Sequence, residues 1–252
     1  MYISGGGIAR NTTICSGVQI NTENGVIETM TIGSNAIIRT SNTEVSDLYV
    51  TSRGAAYISG GTLAGAEVEK YGILQLCTGS IASDITVLAG GHCYIGEGAT
   101  VTGTFTIGTG ATILVFTGGV INFSIAGRTA DDTALVNNLS AIRGKIGYSI
   151  TVSADQDAGI YRLADGVKTF DNSLDLTYGD IELSDLTLDH DVSANGVNFD
   201  LNLVDGSLVL ELTFLDNGVN IITDWSDYPS AIAGTDTAVT GQNDPYKNGM
   251  LA

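Results

Sequence analysis

Apolar residues return along the first half of the chain at an interval of roughly 18–19 residues, and glycine closes almost every unit. Cutting at those glycines gives MYISGGGIARNTTICSG, VQINTENGVIETMTIGSN, AIIRTSNTEVSDLYVTSRG, AAYISGGTLAGAEVEKYG, ILQLCTGSIASDITVLAGG and HCYIGEGATVTGTFTIGTG. A seventh unit opens as ATILVFTGG and breaks off. One apolar column reads Ile3, Ile20, Ile38, Ile58, Leu76, Ile95, Leu114, and a second reads Ile14, Ile32, Val50, Val68, Val87, Ile107. A unit this short cannot bury its own apolar side, so the units must stack, one repeat per turn of a solenoid. The expected fold class is all-β. A parallel β-helix of about 18–19 residues per coil fills residues 1–119, followed by a mainly antiparallel β module with one short helix. The repeat itself leaves the hand of the coil open.

Inside a unit the alternation is that of a half-buried strand. Val101, Phe105 and Ile107 share one parity, and Thr102, Thr104 and Thr106 share the other. Glycines at the corners supply the positive φ that sharp turns need. Residues 1–119 contain no proline, as expected where every inner strand donates to a ladder. Six coils stacked at strand spacing make a rod about 30 Å long.

The pattern changes near Ile121. Within RTADDTALVNNLSAIRG, Asp131 or Asp132 offers an N-cap, Leu135, Leu139 and Ile142 recur at helical spacing, and Gly144 follows, which predicts a helix near 131–143. The strongest later signal is VNFDLNLVDGSLVLELTF. A two-residue Asp205-Gly206 turn sets Leu203 against Leu208, Leu201 against Leu210, Phe199 against Leu212 and Val197 against Phe214. Weaker strands, read as antiparallel, cover Tyr148–Ser153, Ile160–Leu163, Leu174–Tyr178 and Ile181–Leu188. An open last coil is an unpaired strand edge, so residues 120–215 are expected to cap the rod, with a sandwich-like layer. Residues 216–252 lose the periodicity and hold both prolines, Pro229 and Pro245. They read as a linker or the start of a further domain, with Trp225 and Tyr228 as candidates to dock on the preceding module.

Charge narrows the partners. The net charge is −18, and residues 120–252 hold twenty acids against six bases. A surface this acidic repels phosphate backbones and argues against nucleic acid. No apolar run is long enough to span a bilayer. YISGGG after Met1 lacks the features of a signal peptide, so the chain reads as a piece of something longer. Cys15, Cys77 and Cys93 have no metal or disulfide spacing and are read as small hydrophobes or incidental side chains. Low cysteine with abundant Gly, Thr, Ser and Asn suits an exported surface protein.

Candidate chemistry is sparse. The phosphate-loop, zincin and nucleophile-elbow motifs are missing, and Gly5-Gly6-Gly7 lies at a coil corner. His92 sits at a repeat boundary, read as a solvated turn, and His190 belongs to the other half. Asp155, Asp157 and Gly159 resemble a fragment of a calcium loop without its terminal glutamate, and Asp185, Asp189 and Asp191 form an acidic run. Adventitious calcium binding there is the alternative to a solvated turn. Glycoside hydrolysis needs two acids in one column on adjacent coils. Glu23 with Glu44, or Glu44 with Glu67, fall loosely in register. The outer positions offer hydroxyls and amides instead: Asn11-Thr12-Thr13, Asn21-Thr22, Ser41-Asn42-Thr43 and Thr102, Thr104, Thr106. The expectation is no catalytic residue, no cofactor and no metal site, with the binding residues unassigned.

YISGGGIARNTTICSG, YISGGTLAGAEVEKYG and LCTGSIASDITVLAGG resemble the AIDA-type repeats of bacterial autotransporter adhesins, over residues 1–119. Ser34-Asn35 and Ser41-Asn42 stand where that pattern has Gly-Gly. The segment from Ile121 through the closing hairpin resembles the module that often follows such repeats. The resemblance implies a right-handed β-helix passenger at the bacterial cell surface, acting as an adhesin or structural stalk in adhesion, aggregation or biofilm formation. Its implied partners are surface glycans, surface proteins or other copies of itself, and its serines and threonines are glycosylation candidates. The membrane barrel of that family has no counterpart here. The competing reading is a carbohydrate-active or glycan-binding β-helix, such as a polysaccharide-degrading enzyme or a phage tailspike-like protein. A groove lined with acids and aromatics favours that reading, and a smooth Thr/Asn surface favours the adhesin.

Overall fold

In the computed structural model of the chain, residues 2–130 and 133–215 are described. Strands β1 (Tyr2–Ser4), β2 (Ile8–Ile14), β3 (Gln19–Glu23), β4 (Val26–Ile32), β5 (Ile37–Val50), β6 (Ala55–Val68), β7 (Ile73–Leu76), β8 (Ile81–Val87), β9 (His92–Ile95), β10 (Thr100–Ile107) and β11 (Thr112–Ser124) wind a parallel β-solenoid. They are followed by β12 (Ile142–Val152), β13 (Gly159–Asp165), β14 (Leu174–Tyr178), β15 (Ile181–Leu186), β16 (Val192–Ala194), β17 (Val197–Val204) and β18 (Ser207–Phe214).

The second apolar column holds through every coil: Ile14 pairs with Ile32, then Val50, Val68, Val87 and Ile107 in turn. The first column is corrected. Ile20 and Ile38 run into Ala56, Leu74, Cys93 and Ile113, whereas Ile3 leads through Thr22 and Thr40 to Ile58, Leu76, Ile95 and Val115. Two residues separate the columns, and both point inward. Leu114 falls between them and faces outward, half-buried, because Ile113 and Val115 are the buried members of its strand. Thr22 and Thr43 consequently lie inside the rod rather than on its surface, with their hydroxyls 3.3 Å apart. Thr43 also donates to the Ser41 carbonyl at 3.0 Å, which satisfies a polar group that burial would otherwise penalise.

Each coil turns three corners, and each corner is a column of left-handed residues. One holds Asn35, Arg53 and Tyr71, at φ of 57°, 64° and 64°, with Gly90 next in line. The Asn35 N–H donates to the Arg53 carbonyl, the Arg53 N–H to that of Tyr71, and the Tyr71 N–H to that of Gly90, so even the corners are laddered. A second corner includes Asn24 and Asn42, and a third includes Asn11, Thr29, Asp47 and Asp84. Asparagine and aspartate tolerate this conformation better than other side chains. That is why Ser34-Asn35 and Ser41-Asn42 serve where the repeat pattern calls for Gly-Gly.

Parallel pairing continues past residue 119. β11 pairs with β12 from Ile113–Ile142 to Ser124–Thr151, and β12 pairs in parallel with β14. The later strands are therefore mixed rather than wholly antiparallel. β15 folds back antiparallel on β14, and a separate antiparallel sheet runs β13-β18-β17-β16. The hairpin has the expected register at all four apolar pairs, from Leu203–Leu208 to Val197–Phe214. Asp205 and Gly206 both take positive φ, at 49° and 79°, as a type I′ turn requires.

The expected helix near 131–143 is not formed; among the described residues only a single 3₁₀ turn, Leu139–Ala141, is helical. Leu135, Leu139 and Ile142 are buried as their spacing suggested. The backbone of residues 135–137 is committed elsewhere. The Leu135 carbonyl accepts from the Phe105 N–H at 2.7 Å, and the Val136 N–H donates to the Leu163 carbonyl at 3.1 Å. Asn137 then acts as a short piece of strand: its Oδ1 accepts from the Ile107 N–H at 2.8 Å and its Nδ2 donates to the Ile107 carbonyl at 3.2 Å. Residues 135–137 thus close the open edge of β10 and tie it to β13, a demand that outweighs helix propensity. The apolar cluster runs without a break from Ile3 to Leu212. Among the described residues no helix is long and apolar enough to cross a membrane. Trp225 and Tyr228 lie outside the described residues.

Candidate functional site

The three corners divide the coil surface into three sides with different outward chemistry. On the side built from β3, β7 and β9, register sets Arg39 beside Tyr57, then Gln75, Tyr94 and Leu114. The Arg39 guanidinium lies 5.0 Å from the centre of the Tyr57 ring. The His92 ring runs parallel to that of Tyr94, with centres 6.3 Å apart. His92 is half-buried at the start of β9, with Nδ1 enclosed and without a hydrogen-bond partner, so it is not the solvated turn residue its position suggested. A small recess of about 310 Å³ lies farther along, by Thr112, Ala141 and Arg143.

A second side carries Thr13, Thr31, Tyr49, Glu67, Thr86 and Thr106 in a single outward column. At the nearby corner the Asp84 carboxylate accepts from both the N–H and the hydroxyl of Thr104, at 3.0 and 2.9 Å.

The third side is the longest. It begins at Arg10, whose guanidinium grips Glu28 through two bonds of 2.7 and 3.2 Å. Those bonds hold the Glu28 carboxyl below its ordinary range. The same outward column continues through Ser46, Ala64 and Ser83 to Thr102. A hydrogen-bonded strip then follows. The Thr102 hydroxyl donates to Asn122 Oδ1 at 3.3 Å, and Asn122 Nδ2 donates to the hydroxyls of Ser149 (2.8 Å) and Thr151 (3.0 Å). Ser149 pairs in turn with Asp175 of β14. A groove of about 620 Å³ opens over this strip, with Thr100, Val120 and Gly147 along one margin and Asn172, Ser173 and Asp175 at its far end. Tyr148 beneath it stacks on Phe123 and tilts against Phe170, and burial pushes its phenol up to about 12.

The acids singled out from the sequence are not brought together. Glu23 pairs with Ser4 and Ser41, Glu44 with Val26 and Thr62, and Glu67 with Tyr49 and Thr86. In SADQDAG the organising residue is Gln156, buried between two loops, while Asp155 and Asp157 are exposed. Gln156 Nε2 donates to the Arg128 carbonyl at 2.7 Å and to the Tyr161 hydroxyl at 2.8 Å, and its Oε1 accepts from the Gly127 N–H at 3.2 Å. The Tyr161 hydroxyl closes the set by donating to the Asp157 carbonyl at 2.6 Å. This loop is a structural clamp. Asp185, Asp189 and Asp191 are exposed around a short turn, and among the described residues no three His, Cys, Asp or Glu side chains converge as metal ligands. Cys93 is fully buried, its thiol pushed up to about 12; Cys77 is half-buried and Cys15 exposed.

Asn122, Ser149 and Asp175 lie beyond the last glycine-closed repeat at Gly119, so the repeat spacing does not reveal them. The signal was present: V-I-N-F-S, Y-S-I-T and L-D-L-T alternate like the coils before them, with the polar member outward. Comparison with family models finds no match to this chain, and comparison with curated proteins finds no relative. The fold therefore defines the class, an all-β solenoid closed by an antiparallel sheet.

Proposed function

We propose that this chain is a non-enzymatic passenger segment of a bacterial surface protein, in which a stiff β-solenoid serves as stalk and adhesive surface outside the cell. The observation that carries this reading is the unbroken parallel ladder from β2 to β14, which keeps one outward column in register from Arg10 to Asp175. Repetition of this kind yields a long, regular surface suited to extended partners. Separation of Glu23, Glu44 and Glu67 into different columns supports the non-enzymatic form, since hydrolysis of a glycosidic bond needs a facing carboxyl pair. The AIDA-type resemblance of residues 1–119 supports the surface location. Tyr57 and Tyr94, which share an outward column with Arg39 and Gln75, and the polar groove favour the glycan-binding form of the second reading over its degradative form.

Display of the chain on a non-adherent bacterial host tests the proposal. Displaying cells are expected to settle faster or adhere better than controls, without releasing reducing ends from a panel of polysaccharides. Release of reducing ends by the purified chain overturns it.

A further inference from the structure

We infer that the groove over Asn122 and Ser149 is a binding site for a short stretch of neutral glycan, a reading that rests on the adhesive function proposed above. Its shape comes first. The trough crosses the outward columns of β10, β11, β12 and the β14 end, four strands at about 4.8 Å spacing, which gives a track of about 14 Å. Gly147 leaves the margin of the groove open beside Val120. A Cβ there would stand 3.3 Å from the Gly119 carbonyl oxygen and from Val120 Cγ2, so any larger side chain fills the space.

Polarity comes second. Asn122 spends both its amide protons on Ser149 and Thr151, and its oxygen accepts from Thr102 and Thr151. Because Ser149 accepts a hydrogen bond from Asn122 and lines the groove, its own hydroxyl proton is free to donate to a ligand there. The Asp175 carboxylate at the far end of the groove supplies the acceptor. Asn122 therefore fixes Ser149 as a donor beside the Asp175 acceptor, a pre-organisation that lowers the entropy cost of binding. A sugar hydroxyl, donor and acceptor at once, meets both needs.

Charge decides the ligand class. Among the described residues, the groove is lined by one carboxylate, Asp175, and by no cationic side chain. Together with a net charge of −18 this disfavours phosphate, sulfate and uronate. A lone carboxylate among hydroxyls and amides instead accepts hydrogen bonds from neutral polyols, and such charge-assisted bonds are the stronger kind.

The test is an NMR titration of the whole chain with cellotetraose, maltotetraose and chitotetraose, using tetragalacturonate as the anionic comparison. At least one neutral oligosaccharide is expected to shift the amides of residues 120–122, 147–149 and 172–175 saturably below about 10 mM. Asp175→Asn and Asn172→Ala, both at exposed positions, should each weaken that binding by about three- to tenfold, and Gly147→Leu should abolish it. Thr86→Ala on another side should leave it unchanged. The inference falls if none of the neutral sugars shifts these amides, if tetragalacturonate binds as well as they do, or if the groove variants bind like the parent chain. Surface display separates the two claims. Cells that adhere equally with and without Gly147→Leu overturn the groove and leave the adhesive rod standing, whereas cells displaying the parent chain that neither adhere nor aggregate overturn the adhesive reading itself.

Discussion

Leu63 in the rod and Leu210 in the closing sheet are both fully buried, yet they are held by different kinds of neighbour. Leu63 sits between Val45 and Ala82, its register partners one coil below and one coil above. Leu210 faces Leu201 across a tight hairpin and Tyr161 across a strand that arrives from far earlier in the chain. Each coil is thus sealed by sequence neighbours on both sides, and its stability comes from nearest-neighbour stacking. The closing sheet combines one local hairpin with one long-range pairing, and residues 135–137 bind it to β10.

The sharpest way to break that contrast is to bury a charge in each region. Val68→Asp puts an unpaired carboxylate in the middle of the second apolar column and should cost more than about 4 kcal/mol, unfolding the coils around it. Leu210→Asp should instead melt β13 and β16–β18 and leave coils up to Val87 protected in hydrogen exchange. Loss of protection everywhere in both variants would show that the two regions fold as one unit. Milder lesions sharpen the same point: Leu63→Ala and Leu210→Ala should each cost about 2–5 kcal/mol in denaturant unfolding.

The joint between the regions comes next. Gln156→Ala removes four hydrogen bonds of a buried amide and should cost about 1–3 kcal/mol, with faster exchange in residues 125–130 and 153–161. Alkaline pH probes the rod interior. Burial raises the Cys93 thiol from 9.0 to about 12, so the folded state holds a proton that the unfolded state releases. Stability is therefore whole below pH 9 and declines as pH rises towards 12, by about 1 kcal/mol at pH 10 from this group. Cys93→Val should flatten that decline in a pH series of unfolding curves.

The smallest effect distinguishes the corners from the hairpin turn. Thr29 is β-branched yet sits at a φ of 55°, in a column otherwise filled by Asn, Asp and Gly. Thr29→Asn should raise stability by about 1 kcal/mol, whereas Asp205→Asn, at a turn already suited to its residue, should change it by less than about 0.5 kcal/mol. Thermal melts of the two variants measure the difference.

Much of this architecture was legible beforehand. The interval of 18–19 residues, the Ile14-to-Ile107 column and the four apolar pairs of the hairpin all follow from spacing, because coil length and turn type leave a single register. The groove was less visible: its polar members alternate correctly in three short strands, but those strands are far apart in sequence and meet only through β12 and β14.

What the sequence by itself determined is the period, the inward column from Ile14 to Ile107 and the turn that closes the last hairpin, since all three depend on residues close together in the chain. The tertiary structure alone decided which of two inward columns Ile20 and Ile38 join, because alternation marks a side and not a position on it. It also decided that residues 135–137 would be strand-like rather than helical. Leu135, Leu139 and Ile142 needed burial in either conformation, and the unpaired edge of β10, which no local spacing reveals, claimed the backbone of residues 135–137 while β11 claimed Ile142.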